Sequence, residues 1–258
     1  MCITSLQTEK IQLAVFTPFN ILANYIFPLK RALNGISMMQ AVIFDMDGTL
    51  IDSEPMWKEA EKQVFSSIGV EVTDKLSSQT VSMTTRQVTE FWYSHFPWSG
   101  KSLDQVENEV VERVAELISE EGIALEGVHV ILNFFQNKKF KIGLSTNAPS
   151  KLIPVILNKL NISHYFHATS SSEHETKGKP DPAVYLSTAK KLNVEPSKCI
   201  AFEDSISGII SANQANMKTV VVPHISEFTD KKFEISYIKL RRLSEFSDVH
   251  LDRIANKI

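Results

Sequence analysis

The sequence predicts an α/β protein, a Rossmann-like parallel sheet core carrying a helical cap domain inserted after the first strand. Three observations predict it. Four short stretches (Ala41–Phe44, Ile142–Leu144, Lys198–Phe202 and Thr219–Val222) are apolar at successive rather than alternate positions, the pattern of strands buried on both faces in a parallel sheet. Amphipathic helical stretches separate them, as crossover connections require. Between about Glu54 and Glu121 the helical patterning runs on without a good strand, so the alternation is interrupted just after the first run. The expected division is a core of residues 38–54 and 122–258, a cap of residues 55–121, and an N-terminal extension of residues 1–37.

The extension reads unlike the rest. From Ile11 to Leu29, 13 of 19 residues are apolar, and Lys30 and Arg31 follow. About 20 apolar residues span a bilayer, but Gln12, Asn20 and Asn24 interrupt the run, and Pro18 and Pro28 disfavour a helix. A secretory signal places its basic residues before the apolar run and ends in a small-residue cleavage site; neither is clear here. The simplest expectation is a working chain that starts at Met38 or Met39, with an anchor or an additional helix as the competing readings.

From there the elements follow in order. Ala41–Phe44 is a strand ending in Asp45-Met46-Asp47-Gly48-Thr49. In the insert, Ser102 with Gln105 makes a capping box before Val106, Val110, Val114 and Leu117, and Gly122 sits where a C′ residue belongs. Ile142–Leu144 ends in Ser145-Thr146-Asn147, and the polar run Ser170–Lys179 is expected to be a surface loop. Asp181 and Pro182 form an N-cap and N1 pair for a helix through Leu192. Lys198–Phe202, containing the expected inert core thiol Cys199, ends in Glu203-Asp204-Ser205, and the last run stops at Pro223.

Composition bounds the function. A length of 258 residues corresponds to about 1.7 domains, and 43% apolar with 22% charged residues is ordinary for a globular protein rather than a disordered or polytopic membrane chain. A net charge of −3 without a long basic stripe argues against nucleic acid as a partner. Two cysteines, Cys2 and Cys199, make neither a disulfide framework nor a Cys-based zinc site, which fits a reducing, cytoplasmic setting. His164 and His167 lack partner ligands in sequence and read as surface residues.

The chemistry gathers at the strand ends, where open parallel sheets bind their ligands. One end offers Asp45 and Asp47, another Thr146 and Asn147, a third Glu203 and Asp204, and Lys179 stands in Gly178-Lys179-Pro180 before another helix. Carboxylates so close repel one another unless a cation or proton sits among them, and Mg²⁺ suits an oxygen-rich site that also takes phosphate. A calcium EF-hand loop is excluded: with Gly48 at its sixth position, Ile43 would fall where Asp is required. Taken singly, Lys179 reads as a surface charge and Thr146-Asn147 as a loop or cap.

These residues in this order resemble the haloacid dehalogenase-like phosphohydrolase superfamily. Asp45-x-Asp47-Gly48-Thr49-Leu50 matches its first motif, Thr146 its second, Lys179 its third, and Glu203-Asp204-Ser205-x-x-Gly208-Ile209 its fourth. The segments Ile51–Trp57, Phe91-Trp92-Tyr93 and Pro97-Trp98, with Phe202–Ser205, are similar to the sugar-phosphate phosphatases of the hexitol phosphatase/2-deoxyglucose-6-phosphatase type. The resemblance implies an aspartyl-phosphate mechanism: Asp45 as nucleophile, Asp47 as acid and base, and Lys179, Thr146 and Asn147 on the phosphoryl oxygens. It implies Mg²⁺ held by Asp45, the Asp47 carbonyl and Asp204, with Glu203 mainly behind them. Arg86 is a candidate substrate contact from the cap, and Trp57, Trp92 and Trp98 are candidates for specificity or for the cap's own core.

The expected activity is hydrolysis of small sugar or polyol phosphates by a monomer with no stable membrane association, unless the N-terminal extension is part of the working chain. The runner-up is a hexose-phosphate mutase of the β-phosphoglucomutase kind, whose cap-proximal His is replaced here by Trp57. A non-catalytic phosphosugar-binding module is the weakest reading, because the nucleophile, acid/base, lysine and metal carboxylate are all present. Dehalogenase chemistry needs no Mg²⁺, and a phosphonatase would use a cap lysine; Lys58, Lys62 and Lys75 are available, but the Trp57 context resembles the sugar phosphatases better.

Overall fold

The computed structural model describes residues 39–80 and 83–255; the expectations for residues 1–37 lie outside them. Strand β1 (Ala41–Phe44) is buried at all four positions, as its unbroken apolar run requires. Helices α1 (Glu54–Ser67), α2 (Asp74–Ser77), α3 (Thr85–His95) and α4 (Leu103–Glu121) follow. Helix α5 (Val128–Asn137), strand β2 (Lys141–Thr146), helix α6 (Leu152–Lys159), strand β3 (Ala168–Ser171) and helix α7 (Ala183–Leu192) come next. Strand β4 (Cys199–Glu203), helix α8 (Ile206–Gln214), strands β5 (Lys218–Val221) and β6 (Ile238–Lys239), and helix α9 (Asp248–Ala255) complete the described chain.

The six strands form one parallel sheet in the order β3-β2-β1-β4-β5-β6. Phe44 pairs with Leu144 on one side and Phe202 on the other, so the ends of β1, β2 and β4 are level. The strand order reverses between β1 and β4, where an open α/β sheet has its ligand crevice. Below that edge, Phe44 stacks on Phe202 with ring centroids 5.0 Å apart, and Phe135 and Phe246 close around them. Burial of these rings contributes roughly 1.5–3 kcal/mol apiece and fixes the strand ends above them.

Among its described residues, the stretch expected to be the insert carries helices α1–α4 and no strand. Two of its helices start with capping boxes: Thr84 and Gln87 at α3, Ser102 and Gln105 at α4. Trp92, Phe65 and Trp98 pack together in its interior, with Val106, Val110 and Val114 of α4 buried in the same apolar cluster. Among the described residues no helix is long and apolar enough to cross a membrane.

Three local expectations are corrected. The run from Ser170 is not wholly a loop: Ala168–Ser171 is strand β3, paired with β2, and its small polar residues hid it because sheet pairing uses backbone groups rather than apolar side chains. Helix α7 is capped at Pro182, one residue later than expected, although Asp181 Oδ1 still accepts from the Ala183 amide at 3.0 Å. Gly122 ends α4 with φ −58° rather than in the left-handed region; crowding by Ile118 and Ile51 is what excludes a side chain there.

Candidate active site

The level ends of β1, β2 and β4 bring distant residues into one place. The Asp45 amide donates to the Phe202 carbonyl at 2.9 Å, extending the β1–β4 ladder by one residue and setting Asp45 beside Glu203 and Asp204. Lys179, in the loop before α7, is buried and donates to Asp45 Oδ1 at 2.5 Å, Glu203 Oε1 at 2.6 Å and the Ser145 carbonyl at 3.0 Å. All three ammonium donors are therefore used. The loop is clamped by Asn147, whose Oδ1 accepts from the Lys179 amide at 2.8 Å. Gly48 has φ +75°, and a Cβ there would lie 2.1 Å from Asp204 Oδ2. The glycine lets the chain turn after Asp47 while its backbone touches a carboxylate.

The electrostatics are those of an acidic cluster in a dry place. Burial, reinforced by the Glu203 and Asp47 charges, pushes Asp45 up to about 8 against the pull of Lys179. Burial, then Asp45 and Glu203, hold Asp204 well above the usual carboxylate range. Burial alone would lower Lys179, but the facing Asp45 and Glu203 carboxylates reverse that and hold it above its ordinary value. Lys179 is therefore the ammonium ion of the cluster.

Asp47 stands at the edge of this group. Its Oδ1 accepts from Ser53 Oγ at 2.5 Å and from the Trp57 indole N–H at 3.1 Å, and Oδ2 faces Thr146 Oγ1 at 3.4 Å. Thr146 Oγ1 in turn accepts from the Ala148 amide at 2.9 Å, which orients its hydroxyl. Ser53 is the N-cap residue of α1, yet its side chain caps nothing there; it serves Asp47 instead. A carboxylate so held on one oxygen presents the other to whatever enters.

Sequence-derived candidates divide accordingly. Asp45, Asp47, Thr146, Asn147, Lys179, Glu203 and Asp204 come together at the sheet end. Arg86 stays outside that group: it lines a cleft of about 960 Å³ that reaches Asn147 and Lys179, and its guanidinium is shared by Glu90, Asp104 and Glu107. Trp92 and Trp98 are buried in the helical layer, while Trp57 reaches Asp47. Tyr185 and Ser53 were not singled out as site residues. The Tyr185 hydroxyl donates to Glu203 Oε1 at 2.6 Å, but in sequence it is one more apolar-face residue of α7, and no local spacing pairs it with Glu203.

The donor set fits a hard divalent cation. Asp45, Glu203 and Asp204 each offer an oxygen, all within 4.8 Å of one another, and Lys179 alone does not balance three carboxylates. Oxygen ligands with excess negative charge suit Mg²⁺, and a cation there would relieve the repulsion that raises Asp45 and Asp204. Glu203 is the most committed of the three, since Oε1 takes Lys179 and Tyr185 and Oε2 accepts from Ser205 at 3.2 Å. Gly208 leaves it room, for a Cβ there would fall 1.9 Å from the Glu203 carboxyl carbon.

Comparison with known proteins agrees with this arrangement. The chain is 35% identical over 208 residues to hexitol phosphatase B of Escherichia coli strain K12, covering 80% of this chain and 94% of that protein. It is 33% identical to the phosphorylated carbohydrates phosphatase of Thermotoga maritima, covering 70% and 84%. The crystal structure of β-phosphoglucomutase from Clostridium difficile shares the fold, with a TM-score of 0.73 at 24% identity over 85% of this chain and 98% of that one. Residues 42–222 match the profile of the haloacid dehalogenase-like hydrolases. With residues 42–222 matching that profile and phosphatases at 33–35% identity over most of its length, the chain belongs to the haloacid dehalogenase-like hydrolase family and is a phosphoric monoester hydrolase.

Proposed function

We propose that the enzyme hydrolyses small sugar or polyol phosphates with the help of Mg²⁺, through an aspartyl-phosphate intermediate. The observation that carries this reading is the pairing of Lys179 with Asp45 and Glu203 beside an independently held Asp47. Asp45 attacks phosphorus as the bond to the sugar oxygen breaks, and Asp47 delivers a proton to that leaving oxygen. Asp47 then takes a proton from the water that attacks phosphorus and frees Asp45. Lys179, the Thr146 hydroxyl and the Asn147 backbone region hold the phosphoryl oxygens, while the Asn147 side chain fixes the lysine loop. Asp45, Asp204 and the Asp47 carbonyl, with Glu203 behind them, would hold Mg²⁺, which would supply positive charge to offset that of the phosphate beside Asp45.

The sugar or polyol assignment rests on the two phosphatases named above and on a cleft roomy enough for such a substrate. Arg86 would meet the substrate from the cap side only with a guanidinium already shared by three carboxylates. The mutase alternative is disfavoured by Trp57, which stands where that group carries a cap-proximal His and here donates to Asp47. Helices α1–α4 act in this reading as the cap, and the enzyme works as a cytoplasmic monomer, in keeping with its buried free Cys199.

A phosphate-release assay over hexose, deoxyhexose, hexitol, triose and nucleotide phosphates, with Mg²⁺ or EDTA, tests the proposal. Hexitol or deoxyhexose phosphates should be turned over best, EDTA should stop turnover, and Asp45→Asn should lower kcat at least about a thousandfold. Activity that survives the Asp45→Asn change would sink the nucleophile assignment. Conversion of a hexose 1-phosphate to its 6-phosphate without phosphate release would replace the phosphatase reading by the mutase.

A further inference from the structure

Helix α1 carries a carboxylate that none of the contacts above employs. Glu61 lies one helical turn beyond Trp57, and residues four apart share a helix face. Trp57 shows where that face looks, because its indole reaches Asp47. Glu61 is partly buried, and among the described residues it has no hydrogen-bond or ion-pair partner. Its neighbours behave differently: Glu54 pairs with Lys58, and Glu59 accepts from Gln63. A carboxyl group taken from water without a partner is costly, and burial alone pushes Glu61 up to about 7 with no facing charge contributing. Such a group persists readily where something supplies the missing donors during function.

Resting on the sugar or polyol phosphatase reading, we infer that Glu61 is a specificity residue that accepts hydrogen bonds from hydroxyl groups of the substrate. The chemistry favours this occupant. A polyol brings several O–H donors and no charge, and a carboxylate can accept from two at once. A second phosphate would meet a carboxylate here, with Arg86 already engaged elsewhere, so neutral polyhydroxy groups bearing a single phosphate suit this wall. The phosphoryl end of the same substrate would lie on Lys179, and Glu61 would read the end that does not react.

The test compares wild type and Glu61→Gln on a hexitol phosphate and on p-nitrophenyl phosphate, which carries no aliphatic hydroxyl. Loss of charge-assisted hydrogen bonds should lower kcat/KM for the hexitol phosphate about tenfold relative to that for p-nitrophenyl phosphate, mostly through KM. Glu61→Asp, which keeps the charge, should recover part of the difference. Thermal melting of each variant serves as the fold check, and if Glu61→Gln does not fold, the Glu61→Asp ratio decides. An unchanged ratio in a folded variant overturns the role of Glu61 and leaves the phosphatase reading standing. A wild-type enzyme that cleaves p-nitrophenyl phosphate but no sugar or polyol phosphate overturns the substrate reading itself, and this inference with it.

Discussion

The sheet end and the helical layer above it treat buried charge in opposite ways. At the sheet end Lys179 is nearly enclosed, yet each of its donors is used, by Asp45, Glu203 and Ser145. In the helical layer, Arg86 meets its carboxylates at or near the surface, whereas Glu61 is partly enclosed and, among the described residues, has no hydrogen-bond or ion-pair partner. The difference teaches that the buried cation at the sheet end is fully partnered, whereas the half-buried Glu61 on α1 has no partner among the described residues.

Three measurements can break or sharpen that contrast. The largest stability effect is expected for Lys179→Met. Removing the ammonium leaves Asp45 and Glu203 buried face to face, and breaking a buried pair typically costs about 3–5 kcal/mol; urea denaturation without added metal would read it. A loss under 1 kcal/mol would mean that the network contributes little to folding. Glu61→Gln is expected to act in the other direction. Because the folded state holds the Glu61 proton more tightly than the unfolded chain, with a value near 7 against an ordinary 4.5, wild-type stability falls as pH rises between those values. The variant should match wild type below about pH 4.5 and exceed it by about 2–3 kcal/mol above pH 7. A destabilised variant at pH 8 would show that Glu61 has a partner in the free enzyme. The smallest effect belongs to Arg86→Ala: its ion pairs are exposed and should contribute under about 1 kcal/mol. A melting temperature within a few degrees of wild type is expected, and a large drop would show that the cap is pinned by its surface charges.

The contrast also bears on what was legible in the sequence. The strands β1, β2, β4 and β5 were visible because unbroken apolar runs have few other uses in a chain of this composition. Strand β3 was not: Ala168–Ser171 pairs through its backbone, and Ser170 and Ser171 carry no apolar signal. Asp45, Asp47, Glu203 and Asp204 drew notice where apolar runs stop, but Lys179 joined them only through the order of the motifs and the family they resemble; singly it read as a surface charge. Ser53, Trp57 and Tyr185 serve the same carboxylates from helices whose own patterns explain them fully. Trp57 read as a specificity or cap-core aromatic, and only the fold turns its indole N–H towards Asp47. Arg86 shows the converse: it read as a candidate substrate contact, and the fold sets three carboxylates around its guanidinium.

Ser53 carries a last consequence. Thr84, Ser102 and Ser205 each lend a side chain to the first turn of the helix they precede; Ser53 gives its hydroxyl to Asp47 and leaves the start of α1 without that support. With Trp57 on the same oxygen, the first turn of the helix and the carboxylate proposed to carry the proton share one latch. A shift of α1 by an ångström would lengthen both bonds and let the Asp47 side chain turn. In the proposed reading, the position of α1 and the aim of the Asp47 carboxylate are therefore one setting and not two.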